Sequence, residues 1–283
     1  MDRRAFMIAS GAALTGVGMR PRFDPRPSVA GRLKQSVSRW PYADIPLPEF
    51  SRRAREMGLV AIDLLQPDDW PVVQDAGLVP SMGYPTRRRD FIATGFNDPA
   101  NHSMLLRELE ETIPRAAAAG VPNVIAMFGN RRGMSDARGI ENCVAGLSRI
   151  SPLAEEQGIT ICLELLNSKV DHEDYQGDRT AFGVEVVRGV GSPRVRLLYD
   201  IYHMQIMEGD VIRTIREHIE WIAHFHTGGV PGRNELDETQ ELNYRAVATA
   251  IADLGFAGYV AHEFMPTRDP LTSLEEAVRI CEV

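Results

Sequence analysis

From residue 32 onward, short apolar runs alternate with longer amphipathic stretches, and the alternation repeats eight times. The runs that read as strands are Leu33–Val37, Leu59–Leu65, Leu78–Met82, Asn123–Phe128, Thr160–Leu165, Arg196–Asp200, Ala223–His226 and Tyr259–Glu263. Helical patterns lie between them. His102–Ala119 is entered through Asp98-Pro99 and stopped at Gly120, and Glu141–Gln157 is stopped at Gly158. Ala181–Val190, Asp210–Trp221, Asn243–Leu254 and Leu271–Cys281 follow. A glycine directly after a helical run adopts the left-handed C-cap without a Cβ clash. Strand–helix units repeated in this way predict an α/β fold, a single closed (β/α)8 barrel of the TIM type over residues 31–283. The competing architecture, an open doubly wound sheet, carries a glycine-rich phosphate turn after its first strand. Here the first strand runs into Ser38-Arg39-Trp40-Pro41-Tyr42 instead.

A chain of 283 residues, 44% hydrophobic and 25% charged, is long and apolar enough to bury one large core. Its net charge of −8 lacks the basic excess that duplex binding requires, so nucleic acid is not an expected partner. Cys143, Cys162 and Cys281 are odd in number and far apart, which predicts neither a disulfide framework nor a zinc finger. Residues 1–30 read differently from the rest. Arg3 and Arg4 precede a mildly apolar run, Ile8–Met19, in the manner of a twin-arginine export signal. A proline-broken linker follows, ending in the small residues of Ser28-Val29-Ala30-Gly31, which suit a signal peptidase. The run is too short and glycine-rich to span a bilayer stably. The expectation is an exported, periplasmic protein without stable membrane insertion; a cytoplasmic protein with an uncleaved leader is the alternative. Nothing in the sequence excludes a homo-oligomer.

In such a barrel, catalytic groups sit at the C-terminal ends of the strands. Four metal-ligand types fall there on the last four predicted strands: Glu164, Asp200, His226 and Glu263. Each lies one strand–helix unit from the next. Neighbouring strands are about 4.8 Å apart, so four successive strand ends can surround one cation. Taken singly, each residue has an ordinary explanation, because a strand-end Asp or Glu is commonly a helix N-cap and a lone His a hydrogen-bonded structural residue. Together they are harder to explain without an ion. Three inward-facing carboxylates repel and raise one another's pKa values, and a divalent ion offsets two of the three charges. Three carboxylates and one imidazole form an oxygen-rich set suited to Mn²⁺ or Mg²⁺, with Co²⁺ a further fit; structural zinc sites carry more sulfur or nitrogen.

His203 follows Asp200 by three residues, and Arg233 lies in the loop Pro231–Glu235. The planar fork of Arg233 suits a substrate carboxylate or hydroxyl pair, against the plainer reading of a solvated loop charge. Lys169, Arg131 and Arg132 also follow strands and are weaker candidates for the pocket. His224 is expected one layer deeper, in the core or behind His226, and no placement singles out His102, His172, His218 or His262.

Four stretches carry a family likeness: Leu163-Glu164-Leu165-Leu166-Asn167, Tyr199-Asp200-Ile201-Tyr202-His203-Met204-Gln205, the segment His224–Glu235, and His262-Glu263-Phe264. They resemble the hydroxypyruvate isomerase family of the xylose-isomerase-like barrels, whose relatives include ketose 3-epimerases and inosose dehydratases. The likeness covers residues 32–283 and is strongest after residue 160. The resemblance implies that Glu164, Asp200, His226 and Glu263 bind a divalent metal, and that Glu164 and Glu263 double as the acid/base pair. It also implies that His203 and Arg233 contact a small sugar or hydroxy-carbonyl substrate. The implied reaction is proton transfer between adjacent carbons through an enediolate, converting hydroxypyruvate to 2-hydroxy-3-oxopropanoate. Ketose 3-epimerisation and keto-sugar dehydration or lysis use the same enediolate and stay open, as does a non-catalytic sugar-binding barrel. A DNA-repair barrel of the endonuclease IV type is disfavoured. It needs further His and acidic ligands on the early strands, and predicted strands one to four end in Val37, Leu65, Met82 and Phe128.

Overall fold

The structure, a computed structural model, describes residues 31–283; the expected export leader, residues 1–30, lies outside them. Eight strands form one parallel sheet: β1 Lys34–Ser38, β2 Ala61–Asp63, β3 Val79–Pro80, β4 Asn123–Met127, β5 Thr160–Leu165, β6 Val195–Asp200, β7 Ile222–Thr227 and β8 Tyr259–His262. Their spatial order is β3-β2-β1-β8-β7-β6-β5-β4, so sequence neighbours pair and β1 joins β8. The two ends of that row meet through Gly83, just past β3. Its N–H donates to Asn123 O at 2.9 Å on β4, and its carbonyl accepts from Ile125 N at 3.1 Å. The sheet therefore curls into a barrel. The weakness of the seam at β3 follows from Pro80, which has no N–H to give to a ladder.

The helices are α1 Leu47–Glu56, α2 Trp70–Asp75, α3 Pro99–Ala118, α4 Asp136–Gln157, α5 Thr180–Val190, α6 Ile201–Met207, α7 Val211–His218, α8 Tyr244–Asp253 and α9 Pro270–Cys281. Local chemistry sets their limits. Asp98 and Ser135 accept backbone N–H groups at the starts of α3 and α4, and Gly158 and Gly191 close α4 and α5 in the left-handed conformation. Every residue of β4 and β5 is buried, as expected of parallel strands covered by helices on one side and filled by side chains on the other. Among the described residues, no helix is long and apolar enough to cross a membrane.

Two departures from the sequence pattern bear on the site. The second strand, read through Leu65, breaks off after Asp63: Leu64 turns out at φ 54°, and Leu65 meets the sheet again only through a single bridge to Gly83. An acidic side chain thereby becomes a strand end. Helix α6 begins immediately after β6, with Asp200 as its N-cap and no intervening loop, and this brings His203 back over the barrel mouth.

Candidate active site

Glu164 and His226 each sit one residue before the end of their strands, β5 and β7, Asp200 closes β6, and Glu263 follows β8 directly. All four are buried, and each offers one ligand atom within 4.8 Å of the others, so the structure brings together the whole predicted ligand set. His226 lies at its centre. Its Nδ1 is 2.6 Å from Glu263 Oε2, 3.2 Å from Glu164 Oε1 and 3.9 Å from Asp200 Oδ2. That nitrogen is buried and makes no well-directed hydrogen bond, so it points between the carboxylates rather than at one of them. An unpartnered imidazole nitrogen facing three carboxylates is the donor set a hard divalent ion takes, so the residues fit a Mn²⁺- or Mg²⁺-type site. Asp200 also caps α6, its Oδ1 accepting the His203 N–H at 3.2 Å. The N-cap and ligand readings of that residue are compatible.

The electrostatics separate the two glutamates. Burial drives Glu164 upward, and the nearby Glu263 and Asp200 carboxylates add to it against the pull of His226, placing its pKa at about 7. Burial pushes Glu263 the same way, but the charges of His226 and Arg233 outweigh it and hold the group below the ordinary carboxylate value. Burial opposes a charged His226, yet Glu263 and the hydrogen bond to Asp63 overcome this and raise the imidazole well above its usual value.

Arg233 lies within the same cluster. Its Nη2 donates to Asp200 Oδ2 at 2.6 Å and to Glu263 Oε2, while the guanidinium sits 4.9 Å over the Tyr202 ring. The loop that delivers it is tightly specified. Gly229 N–H donates to Asn234 O at 2.9 Å, and a Cβ at Gly229 would fall 2.1 Å from Glu235 O. Arg233 itself holds φ at 58°, a conformation costing about 1–3 kcal/mol that persists where surroundings over-determine it. Those surroundings are built by Glu235, which accepts from Thr267 N, Thr267 Oγ1, Arg268 N and Ser273 Oγ at 2.8–3.2 Å.

His203 is buried and neutral, its pKa lowered first by burial and then by Arg233. Asn167 N–H donates to its Nδ1 at 3.1 Å, so the proton belongs on Nε2. Arg233 Nη1 lies 2.7 Å from that nitrogen, donor against donor, and the guanidinium is anchored by the carboxylates rather than by His203. The cavity above the cluster has a volume of about 380 Å³. Glu164, Glu263, His203 and Arg233 form its polar floor, and Leu64, Tyr84, Phe91, Ile92, Ile125 and Met127 form an apolar wall.

Other basic candidates are placed elsewhere. Lys169 donates to the Ile206 and Met207 carbonyls and caps α6, Arg131 pairs with Asp136, and Arg132 pairs with Asp98 at 3.1 Å. Basic residues after strands found nearer partners than the pocket. His224 stands behind His226 as expected. His172, which no spacing singled out, lines the cavity, while His262 bonds Gln35 and Thr227 beneath it. Three residues escaped the sequence pattern. Trp40 donates its indole N–H to Glu263 Oε1 at 2.5 Å, Asn167 orients His203, and Asp63 holds both His224 and His226. For Asp63 a signal existed, since a carboxylate inside an otherwise apolar strand must have a buried partner.

A family model described as "Xylose isomerase-like TIM barrel" matches residues 8–282. A human protein named "Putative hydroxypyruvate isomerase" is 27% identical over 241 residues, covering 83% of this chain and 80% of its own. Among solved structures, an AP endonuclease of family 2 from Brucella melitensis superposes with a TM-score of 0.76 at 23% identity, covering 86% of this chain and 97% of its own. A 3-keto-D-glucoside 4-epimerase from E. coli superposes at 0.73 and 18% identity, covering 88% of this chain and all of its own. At these identities the two structures speak for the fold.

Proposed function

Because the chain belongs to the xylose isomerase-like TIM barrel family, we propose that it is a divalent-metal-dependent isomerase of sugar-type hydroxy-carbonyl compounds. The observation that carries this reading is the convergence of three buried carboxylates and one imidazole nitrogen, their ligand atoms all within 4.8 Å of one another, at the floor of a pocket of about 380 Å³. Glu164, Asp200, His226 and Glu263 would hold the ion. Bound there, a divalent ion supplies Lewis acidity toward a carbonyl and a hydroxyl oxygen and offsets the negative charge that develops on them. Glu263 takes the proton from the carbon beside the carbonyl. The same group, or Glu164 in its place, returns a proton to the neighbouring carbon, and the hydroxyl's own proton passes to the former carbonyl oxygen. His203 presents its Nε2–H to a substrate oxygen, and Arg233 offers its fork to a substrate carboxylate or hydroxyl pair. The apolar wall keeps bulk water from the exchanging proton.

Hydroxypyruvate is the substrate that the resemblance and the human relative's name suggest, giving 2-hydroxy-3-oxopropanoate. One observation favours a second reading within the same chemistry, epimerisation of a longer ketose: about 380 Å³ bounded by an apolar wall exceeds what a three-carbon acid fills. The acidic balance of the chain, and strand ends β1, β3 and β4 without histidine, support a small-molecule substrate over DNA. Hydroxypyruvate, ketohexoses, inososes and 3-keto-glycosides incubated in D₂O with Mn²⁺-loaded protein and read by NMR test the proposal. Deuterium at the carbon beside the carbonyl in at least one of them is the expected result; none in any, with the ion bound, would overturn it.

A further inference from the structure

We infer that Asp63 is the positioning residue of this centre: it takes the Nε2–H of His226 and thereby turns a bare Nδ1 toward the ligand cluster, an assignment that rests on the metal reading above. Asp63 ends β2, across the barrel from the four ligands, and is fully buried. Its carboxylate is fixed at both oxygens. Ser81 Oγ donates to Oδ1 at 2.7 Å, while Oδ2 lies 2.8 Å from His226 Nε2 and 3.2 Å from His224 Nε2. The two imidazoles meet edge to face, 85° apart with centroids 5.3 Å apart, so one oxygen serves two rings in different planes.

The consequence follows from valence. A carboxylate oxygen in this position only accepts, so the nitrogen facing it carries a hydrogen. A neutral imidazole has one N–H, and with that hydrogen on Nε2 the lone pair stands on Nδ1, the atom that faces Glu164, Asp200 and Glu263. A metal-ligating histidine characteristically gives its other N–H to such a carboxylate, which sets its tautomer and ring angle and makes it a stronger donor. Asp63, His224 and His226 are close enough to be read as a second ion site. The 2.8 and 3.2 Å separations, however, are those of N–H···O bonds with the hydrogen in between, and Ser81 already occupies the other oxygen. A purely structural role would not need His226 to be the ring with the closer bond, nor leave its far nitrogen directed into the cluster.

The test uses the full chain, stripped with a chelator, as wild type, Asp63→Asn and Ser81→Ala. Mn²⁺ affinity is read by calorimetry, Co²⁺ coordination by visible absorption, and the metal-free fold by melting. Asn at 63 keeps shape but loses the charge and can turn an N–H toward His226. The expected result is a loss of about 10–100-fold in Mn²⁺ affinity and a changed Co²⁺ spectrum. Ser81→Ala, which only frees the carboxylate, should lose at least about threefold, less than Asp63→Asn. A folded Asp63→Asn protein within about threefold of wild type, with an unchanged Co²⁺ spectrum, would overturn the assignment. If Asp63→Asn does not fold, Ser81→Ala decides: wild-type affinity in that variant overturns it. Wild-type protein that takes up neither ion sinks the metal reading and this inference together, whereas equal affinities sink the assignment of Asp63 alone.

Discussion

Replacing Arg233 with alanine probes how the buried cluster is balanced. In the metal-free protein the guanidinium holds Asp200 Oδ2 at 2.6 Å and also bonds Glu263; both carboxylates are buried and the Arg233 side chain is only 12% exposed. Removing one partner of a buried pair leaves the other charge uncompensated, at a cost of about 3–5 kcal/mol. In a chain of this size each kcal/mol moves the melting temperature by about 2–4 °C, so the metal-free variant should melt about 6–20 °C below wild type. A divalent ion supplies the missing positive charge at the same oxygens. Saturating ion at a thousand times its Kd stabilises wild type by about 4 kcal/mol. The variant should gain more, because the ion no longer has to displace the Arg233 bonds to two of its ligands. The assay is thermal denaturation of chelator-treated wild type and Arg233→Ala, with and without Mn²⁺. A metal-free variant that melts with wild type, or one whose gain on adding Mn²⁺ is no larger, would refute the view that Arg233 and the ion compete for one set of carboxylates.

Other perturbations have equally definite outcomes. Metal uptake requires Glu164, whose pKa stands at about 7, and His226, raised above its usual value, to shed their protons; Mn²⁺ affinity measured by calorimetry should rise at least about tenfold from pH 6 to pH 8. The metal-free protein should move the opposite way. Glu164 is raised from 4.5 to about 7, so its contribution to stability is complete below 4.5 and lost as pH rises through 7, which melting across that range will show. Glu235→Ala strips four hydrogen bonds from the base of the Arg233 loop and should lower the melting temperature by several degrees, with KM rising more than kcat falls. A chain beginning at residue 31 should bind Mn²⁺ with wild-type affinity yet stay in the cytoplasm, whereas the full chain should reach the periplasm; cell fractionation checks both.

The four proposed ligands were legible because a parallel barrel puts the ends of β5 to β8 side by side, so spacing along the chain translates directly into proximity. Asp63 was not, because the second apolar run continues through Leu64 and Leu65 and conceals that the strand stops two residues earlier, where Leu64 turns to positive φ. Arg233 was legible as a site residue but not in its posture. A loop's residues name its chemistry, while the anchor at Glu235 that bends the guanidinium onto Asp200 and Glu263 is a tertiary fact. Helices α1, α2 and α6 left little trace for a similar reason. They are short, two of them begin with a proline in the first turn, and α6 follows its strand with no connecting loop. Trp40 joined the site through a one-turn helix after β1, a geometry for which the sequence carries no periodic signal.

The central claim is that Glu164 and Glu263 move a proton at a metal-held hydroxy-carbonyl compound. Its most direct test is the rate of solvent deuterium uptake into the substrate found by the panel, compared between wild type, Glu164→Gln and Glu263→Gln, each loaded with Mn²⁺ and with its metal content measured. Both variants should retain the ion with modestly weaker affinity and exchange about 10²–10⁴-fold more slowly, because glutamine keeps a ligand oxygen but cannot carry the proton. Exchange at the wild-type rate by both metal-loaded variants would contradict the claim and leave the two glutamates as ligands only.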